Sequence, residues 1–267
     1  MLWKIFGNVK TFLDKCRIDN ITAFAAQSAF FIILSAIPFL VVFSSLLKYT
    51  PISQDMLTMA VGNYMPNYIS PLVNSIIAEV YNQSVGLISI AAVVAIWSSA
   101  KGLQYLGTGL NMVNNCQETR NWFVLRFRAI FYTVVLILTL ITVLVLLVFG
   151  STLQKAAIRY VPIISHFMSV LIGIRIIIIM GVLIFFFAWI FKMVPNRKAS
   201  FKSQLPGAIL SAVSWYVFSF GLSIYVEYFN GFSTYGSLAT IVLVMLWLYF
   251  CMYILLLCAE TNVVFSD

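Results

Sequence analysis

Charge is what this sequence has least of. Only 9% of its 267 residues are Asp, Glu, Lys or Arg, against roughly 25% in a soluble domain, whose water-facing surface needs them. With 62% apolar residues and a mean hydropathy of +1.01, most of the surface must face a medium other than water, and lipid fits. Histidine is almost missing: His166 stands alone, so a histidine-based metal centre or triad has little to build on. Cys16, Cys116, Cys251 and Cys258 are scattered without a CxxC pair, and the last two fall in an apolar run. They read as small buried side chains rather than a metal cluster or disulfide frame. There is no G-x-S-x-G elbow, Walker loop, H-E-x-x-H pair or dinucleotide fingerprint. The few acidic residues are dispersed, which denies a metal-dependent nuclease or phosphoryl-transfer site its clustered ligands. No metal or cofactor is therefore expected, and the chain is not expected to be an enzyme. The missing ATP motif excludes a self-contained ATP-driven pump, though not one served by a partner ATPase.

What the sequence has instead is long apolar runs. Six of them, at 21–47, 85–109, 129–150, 167–191, 205–228 and 236–259, are each near or above the roughly 20 residues that cross a bilayer as a helix. The expected fold is all-α: a polytopic transmembrane helical bundle of six spans forming one membrane domain over 1–267. No cleavable signal peptide is evident, so the first run reads as a retained span. Pro38 lies inside it and predicts a kink. Residues 1–20 are basic, and Trp3, Phe6, Val9, Leu13 and Cys16 recur at helical spacing. That pattern predicts a cytoplasmic interfacial helix, with Asp19-Asn20 capping the next helix. Residues 48–84 differ again, because Asp55, Asn63, Asn67, Asn74, Glu79 and Asn82 interrupt the apolar pattern and Pro66 and Pro71 break it. They predict an additional outer, extracytoplasmic region of two short amphipathic helices.

The loops orient the spans. With the N-terminus inside, the cytoplasmic segments hold eleven basic residues: Lys4, Lys10, Lys15, Arg17, Arg120, Arg126, Arg128, Lys192, Arg197, Lys198 and Lys202. The outer segments hold three, Lys48, Lys155 and Arg159. The asymmetry places both termini in the cytoplasm. The same spacing, basic clusters between apolar runs rather than one dense stripe, argues against nucleic acid as a partner.

A charge within a span needs a reason. Lys101 either snorkels to the headgroups or faces an internal cavity where it binds an anion or pairs with an acid. Arg175, in the fourth span, poses the same choice. Glu227 is either a wetted interfacial acid or a proton site. Glu260 either terminates the sixth span or pairs with a basic loop residue. Small residues mark close helix contacts: Gly102, Gly107 and Gly109, then Gly207-Ala208 with Ser211-Ala212, and Gly221. Trp215 is placed to fill a gap among them. Thr22, Gln27, Ser28 and Ser35 make the first span more polar than the third. The third is expected to face lipid, and the first, second, fifth and sixth to lie inside.

Several of these residues together carry a resemblance. They are Ala25-Ala26 through Ser35-x-x-Pro38, Trp97-Ser98-Ser99, Leu110-Asn111, and a basic loop with Arg120, Arg126 and Arg128. Further along come Pro206-Gly207-Ala208 with Trp215, then Tyr225, Phe232, Tyr235-Gly236, Trp247-x-Tyr249 and Ala259-Glu260-x-Asn262. Over about residues 10–265 the chain resembles the YihY/virulence factor BrkB family, once labelled ribonuclease BN. Cys258 departs from it, standing where glycine is more usual. The resemblance implies a six-helix fold in the bacterial cytoplasmic (inner) membrane and membrane lipids as partners, with no secure activity. It inclines the reading toward a transporter or flippase of a lipid or an amphiphilic, anionic solute. In that reading Lys101, Gln27, Ser98, Ser99, Gln104 and Asn111 supply the inner half of a polar path, with Glu227, Tyr225 and Tyr235 the outer half. A cationic Lys101 or Arg175 would suit a phosphate headgroup. Pro38, Pro206, Gly207, Gly236, Glu260 and Asn262 are expected to be structural. The competing readings are a membrane scaffold or envelope-assembly protein, acting with a homo-oligomer or envelope partner, and a lipid-modifying enzyme.

Overall fold

Lipid offers a backbone no hydrogen-bond partner, so apolar runs of this length fold as helices. The computed structural model describes residues 2–47, 53–64, 70–81, 85–136, 138–139, 142–143, 168–228 and 236–264. Outside short turns these residues are helical: α1 (Leu2–Ile18), α2 (Ile21–Leu47), α3 (Gln54–Tyr64), α4 (Ser70–Tyr81), α5 (Val85–Val113), α6 (122–136), α7 (Met168–Met193), α8 (Phe201–Tyr228) and α9 (Gly236–Val264). The fold is all-α. Among the described residues three segments are long and apolar enough to cross a membrane: Ile176–Met193, Phe201–Val226 and Ile241–Val263. A fourth is added if Lys10–Ile18 and Ile21–Ser35, bent by 51° from one another, count as one span.

The 51° corner is made by Asp19-Asn20, in a way the capping expectation did not foresee. Asn20 adopts φ 52°, the left-handed region that Asn tolerates, and its side-chain amide donates to the Ile18 carbonyl at 3.0 Å. Its own carbonyl receives the amides of Ala23 and Phe24. The pair thus ends α1, and Asp19 turns inward, buried, instead of capping α2.

From that corner α2 runs along α5 and α9; α9 also packs on α5 and α8, and α8 on α7. Helices α3 and α4 pack on each other, and α4 on α2. The core is filled by Phe187, Ile190 and Phe191 of α7, Leu106 and Leu110 of α5, and Leu255 and Leu256 of α9. The fourth apolar run, which the sequence assigns to neither lipid nor interior, thus supplies the two largest fully buried side chains, Phe187 and Phe191. By contrast α8 buries one stripe, Gln204, Gly207, Ala208, Ser211, Ala212 and Trp215, and exposes Val213, Tyr216, Val217 and Phe220. Trp215 fills the space beneath the stripe, edge-on to Phe187 at 4.9 Å, with its indole N–H on the Cys251 carbonyl at 2.8 Å.

Three helix ends differ from expectation. Ser200 accepts the Ser203 amide at 3.2 Å and starts α8 early, leaving Pro206 inside the helix rather than at its opening. Helix α5 runs on to Val113, before a turn with Asn115 at φ 51°. Helix α9 continues to Val264, so Glu260 sits within it and does not terminate it. Pro38 lies in the helical part of α2 and Gly236 opens α9, but their side-chain surroundings lie outside the described residues. The four cysteines are free, three of them buried.

Small residues set two of the closest approaches. A Cβ on Gly102 would meet Ile32 Cγ1 at 2.7 Å, and one on Gly207 would run into the Cys258 carbonyl and the Asn262 amide. Gly221, expected at a helix contact, faces open space instead. Gly207→Val should therefore destabilise the detergent-solubilised protein by about 1–3 kcal/mol, the usual cost of overpacking. Gly221→Ala should stay within about 0.5 kcal/mol of wild type, both read from denaturant or thermal unfolding.

Candidate functional site

Polar side chains gather at one end of the bundle, where α1, α5, α7 and α9 finish and α2, α6 and α8 begin. The deepest group is Glu260, whose side chain has 0% exposure. Lys15 of α1 reaches it: its ammonium pairs with Glu260 Oε1, lies 3.4 Å from Asp19 Oδ2, and donates to the Val113 carbonyl at 3.1 Å. One side chain thereby ties α1, α5 and α9 together. Asn262, one turn-face from Glu260, accepts the Gly207 amide at 2.7 Å and donates to the Gln204 carbonyl at 3.3 Å. This joins α9 to α8. Arg197 donates to Gln204 Oε1 at 3.3 Å, and burial lowers the pKa of its guanidinium from the ordinary value.

A second network holds the α5–α6 and α7–α8 connections. Asn111 accepts the Asn196 amide at 2.7 Å and donates to Glu118 at 2.9 Å. The Asn196 side chain in turn donates to the Gln117 carbonyl and Thr119 hydroxyl, both at 2.9 Å. Arg120 pairs with Glu118 at 3.1 Å and donates to Asn196 Oδ1 and the Val194 carbonyl. Arg126, expected in a solvated loop, is buried on α6. It donates to the Trp97 carbonyl and, at 3.5 Å, to Gln104, with its guanidinium 4.3 Å from the centre of the Trp97 ring. Burial lowers its pKa as well, though a guanidinium stays charged at any accessible pH.

Between these networks lies a small cleft of about 50 Å³. Its polar rim is Gln104, Thr108, Glu118, Arg120 and Arg128; Leu103, Leu125, Ala129, Tyr132 and Val194 form its apolar floor. Arg120 is fully engaged, whereas Arg128 is exposed and makes no hydrogen bond or ion pair among the described residues. Two arginines against one glutamate leave the cleft cationic.

Of the residues expected to line a polar path, Gln104 and Asn111 are here, both hydrogen-bonded. Lys101, one turn before Gln104, is half-buried with its ammonium 5.2 Å from the Phe31 ring centre. Among the described residues it pairs with no acid. Gln27 is exposed on α2, while Ser28 and Ser35, buried, spend their hydroxyls on carbonyls of their own helix. Tyr225 is exposed on α8. The side chains of Ser98, Ser99, Arg175 and Glu227, and all of Tyr235, lie outside the described residues. The sequence pattern marks Lys15 and Arg126 only as loop charge and Asp19 only as a cap, and it gives no signal at Asn196. One signal was available: an acid inside an apolar run calls for a cation, and Lys15 and Asp19 share a helix face. Among the described residues no three His, Cys, Asp or Glu side chains converge as metal ligands.

The sequence model of the virulence factor BrkB family matches residues 12–267, and the chain belongs to that family. It is 32% identical over 240 residues to YfkH of Bacillus subtilis, named as a ribonuclease-like protein, covering 89% of this chain and 87% of that one. It is 25% identical to a UPF0761 membrane protein of Alteromonas mediterranea, over 93% of this chain and 84% of that one. A UPF0761 membrane protein of Pseudoalteromonas atlantica is also 25% identical, over 94% of this chain and 83% of its own. No solved structure matches. The chain is thus a multi-pass membrane protein of an all-α kind.

Because Asn111 joins two connections through one amide, Asn111→Ala should cost about 1–3 kcal/mol, the penalty for leaving buried partners unmatched. Ser219→Ala, which removes a single acceptor from Trp247 at 3.1 Å, should cost no more than about 1.5 kcal/mol. Unfolding in detergent compares the two.

Proposed function

We propose that this BrkB-family protein spans the bacterial inner membrane six times, with both ends in the cytoplasm, and moves a lipid or anionic amphiphile across it. The cationic cleft carries the reading. Arg128 offers an uncommitted guanidinium to a phosphate or carboxylate headgroup, and Arg120 adds field from behind it. The adjoining face of α6 exposes Phe127 at 72% and Phe131 at 57%, so acyl chains stay in lipid while the headgroup is held. Lys101, Gln104 and Asn111 stand beside this entry on α5. In the proposed path Gln27 extends the inner half, and Arg175, Glu227, Tyr225 and Tyr235 form the outer part.

Two features support the topology. At the charged end, starts and finishes of α2, α5, α6, α7, α8 and α9 alternate, as six antiparallel passes require. The basic residues sit at that same end, as the cytoplasmic side of a membrane protein does. Residues 1–20 would then lie along the inner surface and 48–84 on the outer face. Packing favours one competing reading. The core around Phe187 and Phe191 is filled, which suits a scaffold or assembly protein with a homo-oligomeric or envelope partner. A lipid-modifying enzyme is the remaining reading, and no specific contact favours it.

Translocation of a fluorescent anionic phospholipid by the purified protein in liposomes tests the proposal. Wild type should exceed empty vesicles. Arg128→Gln should lower the rate about tenfold, the equivalent of about 1.4 kcal/mol, and Lys101→Gln should lower it less. Wild-type rates equal to empty vesicles would sink lipid translocation and bring the scaffold reading forward.

A further inference from the structure

The cluster around Glu260 has more acceptors than donors. Lys15 spends its three ammonium protons on Asp19, Glu260 and the Val113 carbonyl. That leaves Glu260 Oε2, fully buried, with no donor. Asp19, itself buried, gathers at the same ammonium as Glu260: its Oδ2 is 3.4 Å from Lys15 Nζ, which also pairs with Glu260 Oε1. Two ionised carboxylates are acceptors only, so a hydrogen bond between them requires a proton.

Charge leads to the same result. With both acids ionised, one lysine faces two negative charges, and an uncompensated charge in a dry site is strongly unfavourable. The surroundings do not help. Helices α1, α5 and α9 all end at this cluster, and a helix C-terminus presents its negative pole. The charged or titratable groups facing Glu260 are Lys15, Cys16 and Asp19 from the end of α1. Ile21 and Ala25 at the start of α2 are apolar, α5 presents the Val113 carbonyl, and α8 with Asn262 presents the neutral Gly207–Gln204 contact. Arg197 reaches Gln204 and no further. Among the described residues no second cation arrives.

We propose that Asp19 and Glu260 share one bound proton, so that with Lys15 they form a neutral proton-binding site fastening α1 to α9. Asp19 or Glu260 holds the proton and donates it to the other; the second carboxyl stays ionised and pairs with Lys15. Loss of the proton sets two carboxylates face to face with one ammonium between them, which loosens the α1–α9 contact. The site therefore stays closed at neutral pH and opens as pH rises. It stands apart from the cleft at Arg128, and it holds whether or not the protein moves lipid.

Infrared spectroscopy of the full-length protein in lipid, with ¹³C-labelled glutamate or aspartate, reads the proton directly. The neutral-pH spectrum should contain a carbonyl band of a buried carboxylic acid that shifts with one label or the other and fades as pH is raised. Glu260→Gln and Asp19→Asn should each abolish it. Both substitutions are close in shape, and Gln at 260 donates to Asp19 through its amide, so Glu260→Gln should melt no lower than wild type. A wild-type spectrum with no such band overturns the proposal without recourse to any variant, and so does a band that survives both substitutions.

Discussion

Glu260 is held by one lysine. That contact constrains more of the molecule than any other, because it brings α1 against α9 and, through the Val113 carbonyl, α5 against both. A buried carboxylate without its cation costs several kcal/mol, so the basic amphipathic segment and the end of α9 are stabilised together. The corner at Asn20 follows from this requirement: a helix continuing straight from α1 into α2 would carry Lys15 away from α9. The left-handed residue supplies the bend that brings the ammonium back.

The rest of the charged end obeys the same rule with neutral groups. Where α8 crosses α9, the absent side chain of Gly207 lets Asn262 take the backbone amide directly. At the α7–α8 turn, Asn111 takes the amide of Asn196. Helix ends leave amides and carbonyls unmatched; Ser200 matches one at the start of α8, while Asn111 reaches Asn196 from another helix. Among the described residues most polar contacts between helices lie at this end, while the buried middle is mainly Phe, Leu and Ile with a few side-chain contacts such as Trp215 on the Cys251 carbonyl and Trp247 on Ser219. Packing holds the middle, and hydrogen bonds fix the order of the helices at the end.

Length and apolarity made most of the helices legible. The run 21–47 matches α2, and the runs opening at 85 and 236 match the starts of α5 and α9. Those boundaries depend on local contrasts in hydropathy, which a sequence displays. What stayed hidden depends on partners far along the chain. Lys15 and Glu260 are 245 residues apart, so a basic partner for Glu260 could be expected as one of two readings, but not that Lys15 would be the one. Arg126 looked like loop charge because its acceptors, the Trp97 carbonyl and Gln104, become neighbours only when α5 and α6 pack. Gly221 carried the small-residue signal yet faces open space, since composition marks where helices can approach and not where they do. At the candidate site the sequence pointed to Gln104, Asn111 and Lys101 on α5 but passed over Arg128, whose distinction is having no partner.

The packing also constrains how a lipid-translocating reading would have to work. Among the described residues Phe187, Phe191 and Leu255 are fully or almost fully buried, so no open path runs against them. The polar network above them closes the charged end, and opening it would break the Asn111, Asn262 and Lys15 contacts together. The cleft at Arg128 lies to the side, between α5 and α6, with its apolar floor continuous with exposed Phe127 and Phe131 on α6. A headgroup entering there starts at the side of the bundle, beside α6, before it reaches the proposed outer residues Arg175, Tyr225, Glu227 and Tyr235, and its acyl chains stay in the hydrocarbon. Such a route requires polar side chains spaced along a lipid-facing groove rather than a pore. It therefore makes α6, the expected lipid-facing helix, the element on which transport depends.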